Sequence, residues 1–216
     1  MNEQEIWDSV TGSSHARLWL DVAMKRVAQA LSDTVGQPIY YSALRAETAP
    51  VAELVERIGE PEAKTVGVQL QIKGDARGQA LLLFSWESAL RLVDLLMEVP
   101  PGTTVNVGFA ERTALAEIGN LALAHFLNAL VAYSQLPRRL QPSPSNVLVD
   151  ALETILRLAL MPVTIAGGDP LVIEAMFSNV AGTAQIYFLV LPEQIGRQRP
   201  DMFTTKSPGG RAPRRT

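Results

Sequence analysis

Two stretches of this chain read alike, and that likeness limits the fold more than any other feature. ALSDTVGQP at 30–38 lines up with ALVAYSQLP at 129–137. GQALLLFSWE at 78–87 lines up with GTAQIYFLVLPE at 182–193, which is two residues longer. Self-similarity at this period marks a duplicated structural unit. Each copy, over 14–98 and 109–193, reads as a long helix followed by a β-hairpin. Neither copy can cover both faces of a sheet alone. The sequence therefore predicts one α+β domain over 1–196, with pseudo-two-fold symmetry and a mainly antiparallel sheet with helices packed on it. The break at Pro100-Pro101-Gly102 joins the halves and is not a flexible interdomain linker.

Local signals place the elements. Ser13 or Ser14 caps a helix running to Asp33, with Leu18, Val22, Val27 and Leu31 at helical spacing. Gly36 to Pro38 stops it, and a strand follows over 39–44. Pro50 and Gly59 bracket a short helix. Residues 65–73 alternate apolar and polar, which predicts a half-buried strand, and 74–78 turns it into a return strand over 79–84. Ser85 caps a helix through Met97. In the second half a helix covers 110–134, and Pro137 and 142–145 form loops. Residues 146–159 form a short strand or extended lead-in and then a helix. Strands are expected over 162–166, 171–177 and 181–191.

Composition excludes several chemistries. With no cysteine there is no disulfide, thiolate metal site or cysteine nucleophile, which suits a reducing, cytoplasmic setting. Two histidines, His15 and His125, are too few for an all-histidine zinc site. The acidic, polar start is no signal peptide. From Arg197 onward six basic residues stand against one acid, a tail of +5 beside a body of −8. An acidic body argues against nucleic acid as the main ligand. The tail, 197–216, reads as disordered, either a solubilising extension or a weak contact for an acidic partner. Residues 114–133 are apolar enough to suggest a membrane span, but Glu117, Asn120, His125 and Asn128 interrupt them, so they read as a buried helix. No phosphate-binding glycine loop and no nucleophile elbow is present. His125 reads as a buried or boundary residue, and Met97 as core filler.

Within that helix Glu117-Ile118-Gly119-Asn120 breaks local rules. Glycine in a helix interior costs about 1 kcal/mol relative to alanine, and asparagine is also a poor helix former. Glu117 and Asn120 are three apart and share a face; Thr113 lies a turn before and Ala124 a turn after. The opposite stripe, Leu115, Ile118, Ala122, Phe126 and Leu130, is the core side. The bland alternative is a solvated helix face, with Gly119 serving tight packing.

Glu117 to Asn120 with Phe126 to Leu130, VGVQLQIKGD at 66–75 with Gly78, Val147 to Asp150 and the closing strand ending at 191–193 together resemble the CheC family of chemotaxis phosphatases, relatives of CheX and FliY. The resemblance covers most of 14–193. The family signature is Asp or Ser, three residues, Glu, two residues, Asn, some twenty-two residues and Pro. Here Thr113 departs from the first position, Glu117 and Asn120 match, and Pro142 and Pro144 each miss the proline by one. In the first half the counterparts of Glu117 and Asn120 are Leu18 and Asp21, so one site at most is expected. The resemblance implies hydrolysis of the aspartyl phosphate on a phosphorylated CheY-type response regulator. In this reading Asn120 aims a water, Glu117 pairs with a partner lysine and Thr113 gives support. No metal or cofactor belongs to this chain, and magnesium sits on the partner. The resemblance also implies the deamidase CheD as a second partner. It leaves open a non-catalytic interaction module of the same fold, as in flagellar-switch proteins.

Overall fold

The computed structural model describes residues 7, 16–134, 139–164 and 169–193. Ser13, Ser14, His15, Pro137 and the 197–216 tail lie outside them. The first half contains α1 (Ala16–Val35), β1 (Ile39–Thr48), α2 (Val51–Ile58), β2 (Lys64–Gly74), β3 (Gly78–Ser85) and α3 (Trp86–Leu96). The second contains α4 (Phe109–Ser134), β4 (Leu140–Pro142), β5 (Asn146–Ala151), α5 (Leu152–Thr164), β6 (Leu171–Asn179) and β7 (Gln185–Pro192).

Punctuation residues act where they stand. Gly36 takes a left-handed φ of 73° to end α1. Pro50 opens α2 and Gly59 closes it. The Ser85 hydroxyl accepts the Ser88 N–H and caps α3.

The strands form one antiparallel sheet in the order β1-β6-β7-β3-β2, with β4 and β5 sharing the outer edge of β2. Read from either end, the order interchanges the two halves. Hairpin β2–β3 matches β6–β7, and β3 pairs with β7 at the centre. The outer strands are exchanged: β1 of the first half pairs with β6 of the second, and β5 of the second with β2 of the first. β1 shifts register between Ser42 and Arg45, and its counterpart is broken outright into β4 and β5.

Helices cover both faces. On one side α1, α3 and α4 bury Met24, Leu31, Leu92, Ile118 and Phe126 against Val68, Leu82, Phe177 and Phe188. On the other, α2 and α5 bury Leu54, Ile155 and Leu160 against Leu81, Leu83 and Leu189. The hydrophobic effect drives both layers, since successive strand side chains point to opposite faces and both faces find helices.

Several expectations need correction. β2 is covered on both faces over 65–68 and not half-buried, because Ile155 of α5 lies over Gly67 from the side opposite α4. No strand begins at Pro162, since α5 continues through Pro162 to Thr164; residues 165–168 lie outside the described set. β4 falls where a loop was expected. β7 starts at Gln185 and not at Ala181, because Asn179 closes a turn by accepting the N–H groups of Thr183 and Ala184. Gly78 and Gly182 are therefore not equivalent: Gly78 lies against the Leu191 carbonyl within the sheet, and Gly182 turns at φ 67° in open space.

Candidate functional site

Among the described residues one helix, Phe109–Ala132, is long and apolar enough to cross a membrane. It is a core helix. Leu115, Ile118, Ala122, Leu123, Phe126, Leu127 and Leu130 are all buried against the sheet and its neighbouring helices. Gly119 sits against β2, where a Cβ would lie 2.6 Å from Val68 Cγ1. The glycine is thus explained by packing, and that packing fixes the rotation of α4.

Seating Ile118 and Gly119 inward turns Thr113 and Glu117 outward. Both are exposed, and Asn120 is partly exposed. Glu117 and Asn120 lie roughly 4.5 Å apart along the helix axis. Neither side chain hydrogen-bonds or ion-pairs with any described residue, and the Asn120 amide atoms are not sealed from solvent. Thr113 differs, because its hydroxyl donates to the Phe109 carbonyl at 2.9 Å. Ala124 is partly exposed, and His125 is exposed, contrary to the expected buried or boundary placement. Met97 is also exposed, because α3 ends at Leu96 before it can turn inward.

The link between β4 and β5 runs beside this stripe. The Ser145 hydroxyl lies 3.4 Å from the Ala116 carbonyl, and Arg112 Nη1 donates to the Val147 carbonyl at 2.8 Å. These contacts hold the exposed Pro144 beside the helix face that carries Glu117 and Asn120; Pro142 lies within β4.

The same region of the first half is closed. Leu18 is 58% exposed, and the Asp21 carboxylate is occupied. It takes an ion pair from Lys25 at 2.7 Å and a hydrogen bond from the Tyr41 hydroxyl. The Lys25 contact, followed by Tyr41, holds the Asp21 carboxyl below its usual range. Burial, followed by the Asp21 hydrogen bond, pushes Tyr41 up to about 12. Nothing there resembles a free amide beside a free carboxylate. Among the described residues no group of three or more metal-ligating side chains comes together.

Two features escaped the sequence reading. Ser145 has no local signal, because its approach to α4 depends on strand pairing. Phe109 is 89% exposed at the first position of α4 and lies on the same stripe as Thr113. Extending the i, i+4 spacing back one turn from Thr113 would have found it.

No family model matches the chain. Solved structures do match over most of it, and they define the architecture as that of CheC/CheX/FliY-type chemotaxis proteins. FliY from Thermotoga maritima aligns at 18% identity over 87% of this chain and 89% of its own, with a TM-score of 0.62. CheX from Borrelia burgdorferi, solved in complex with CheY, beryllium fluoride and magnesium, aligns at 13% identity over 82% and 98%, with a TM-score of 0.54. The FliM middle domain from Vibrio alginolyticus aligns at 13% identity over 81% and 93%, with a TM-score of 0.53. At these identities the likeness is one of fold.

Proposed function

We propose that this protein is a cytoplasmic chemotaxis phosphatase that hydrolyses the aspartyl phosphate of a phosphorylated CheY-type response regulator, through a single site on α4. The observation that carries this reading is the unpartnered pair Glu117 and Asn120, displayed one turn apart on an uncovered face of a helix whose rotation is fixed by Gly119 against Val68.

The chemistry asks little of such a site. Phosphoryl transfer depends mainly on positioning and electrostatics, and a side-chain amide can orient the attacking water. Asn120 enters the partner's phosphorylation site and aims a water in line with the phosphorus. The bond between phosphorus and the aspartyl oxygen breaks, releasing inorganic phosphate and restoring the carboxylate. Magnesium carried by the response regulator neutralises charge on the phosphoryl oxygens. Glu117 pairs with a partner lysine and sets the docking angle. Thr113, its hydroxyl turned back to the Phe109 carbonyl, keeps the first turn of α4 intact. An amide needs no proton exchange to orient water, so the exposed His125 has no required part.

The likeness to the FliM middle domain favours a second reading, a non-catalytic interaction module, with CheD or a switch component as partner. The two readings separate in one assay. With CheY-type regulator phosphorylated by a small-molecule phosphodonor, wild-type protein is expected to speed phosphate release. Asn120→Ala is expected to remove most of that acceleration with an unchanged circular-dichroism spectrum. Equal rates from the two proteins eliminate the catalytic reading and leave the binding module.

A further inference from the structure

The structure assigns a second role to the N-terminal end of α4: Phe109 is the apolar anchor that docks the phosphorylated response regulator against the Glu117/Asn120 site. This inference rests on the proposed phosphatase reading and deepens it, because it names what holds the partner while Asn120 acts.

Phe109 is 89% exposed and Val105 77% exposed, the two largest exposures among the large described apolar residues apart from Val180. Isolated apolar residues at a surface need no explanation, but Phe109 stands on the helix stripe that carries Thr113, Glu117 and Asn120. On a helix of 3.6 residues per turn, positions 109, 113, 117 and 120 fall within an arc of about 80°. Phe109 lies roughly 12 Å along the axis from Glu117 and roughly 16 Å from Asn120. A stable complex covers about 800 Å² on each partner, a patch about 32 Å across. A partner centred on Glu117 therefore covers both Phe109 and Asn120.

The support beneath these residues makes them ready for docking. Asp94, 2% exposed at the end of α3, accepts the N–H of Gly102 at 2.6 Å and that of Thr104 at 2.7 Å. Val107, between the two exposed residues, is buried in the core. The Arg112 N–H closes the first turn of α4 on the Gly108 carbonyl. The connection is fastened on both sides of Val105 and just before Phe109. Little conformational freedom remains to be lost when a partner arrives. Large aromatic side chains at such positions carry a disproportionate share of binding energy. The occupant is the receiver domain that the Glu117/Asn120 site takes, because Phe109 continues the same helix stripe and falls within the footprint of a partner seated there.

The test separates KM from kcat. With full-length chain and phosphorylated CheY-type regulator as the varied substrate, Phe109→Ser is expected to raise KM about tenfold with kcat unchanged, and Phe109→Leu to restore most of the affinity. Asn120→Ala should do the reverse, losing kcat while still binding regulator loaded with beryllium fluoride and magnesium. If Phe109→Ser has a wild-type KM while Asn120→Ala is inactive, the anchor is overturned and the phosphatase reading stands. A fall in kcat at unchanged KM also overturns it. If wild-type protein releases no phosphate but Phe109→Ser still weakens binding to the beryllium fluoride complex, the anchor stands and the catalytic reading falls. Unchanged binding in that case overturns both.

Discussion

Replacing Gly119 by alanine sets two opposing effects against each other. In an exposed helix interior the change gains about 1 kcal/mol from propensity. Here the new Cβ would stand 2.6 Å from Val68 Cγ1 and 3.3 Å from Leu70 Cδ1. Ordinary contact between such atoms is about 3.5–4.0 Å, so roughly 1 Å must be found. Val68 cannot easily yield it. Its side chain is fully buried and β-branched, and its backbone is paired to Leu82 on one side and Val147 on the other. Overpacking of this kind costs about 1–3 kcal/mol, and the bracing of Val68 puts it at about 2–3 kcal/mol, so the expected net loss is about 1–2 kcal/mol. Urea unfolding followed by circular dichroism measures it. Val68→Ala removes the obstructing methyl, so in that background Gly119→Ala should become neutral or stabilising, and the cycle should show coupling of about 1–2 kcal/mol. A Gly119→Ala protein as stable as wild type, with no coupling to Val68, would refute the claim that close packing sets the rotation of α4. The outward display of Glu117 and Asn120 would then need another cause.

Two further predictions concern ionisable groups. Asp94→Ala should lower stability by about 2 kcal/mol, because a buried charged acceptor of two backbone N–H groups is lost. Burial pushes the Asp94 carboxyl up, but hydrogen bonds from Thr104 and Gly102 outweigh it and leave the carboxyl below its usual range. Its contribution is accordingly present above about pH 4 and lost as pH falls through the folded value, so the wild-type and Asp94→Ala unfolding midpoints should converge in acid. Tyr41 behaves with the opposite sign: its folded value of about 12 lies above the ordinary tyrosine value of about 10, so its stabilisation is complete below pH 10 and fades as pH rises through 12. Absorbance at alkaline pH should show a late phenol step that Tyr41→Phe reduces, leaving that of Tyr187, which burial also pushes up; a wild-type titration finished by about pH 11 would contradict the burial of Tyr41 and its Asp21 contact.

What was legible in the sequence came from residues whose effect is local. Pro50, Gly59 and Ser85 marked helix ends because caps and backbone restriction act within one turn. The outward placement of Thr113, Glu117 and Asn120 followed from helical spacing once the apolar stripe from Leu115 to Leu130 was recognised. What failed depended on distant partners. Residues 45–48 became strand because β6 offered an edge to pair with. β4 is three residues long, too short for periodicity, and exists because Gly74 and Ile72 accept it. Pro162 read as the start of a strand, yet a helix already held by Ile155, Leu156 and Leu160 against the sheet tolerates it near its end. His125 read as a buried or boundary residue because it adjoins Phe126, but adjacent helix positions point about 100° apart.

The exchange of outer strands has a consequence for how the chain is made. At the ribosome, the residues up to Pro100 can form the β2–β3 hairpin, but β1 has no strand partner until β6 emerges, and β3 lacks its central companion until Gln185 to Pro192 follow. The earliest-made segments must wait, edges bare, for the latest. Closure across more than a hundred residues is slow by its topology. Until those late strands arrive, the open edges of the half-finished sheet are free to pair with a stranger.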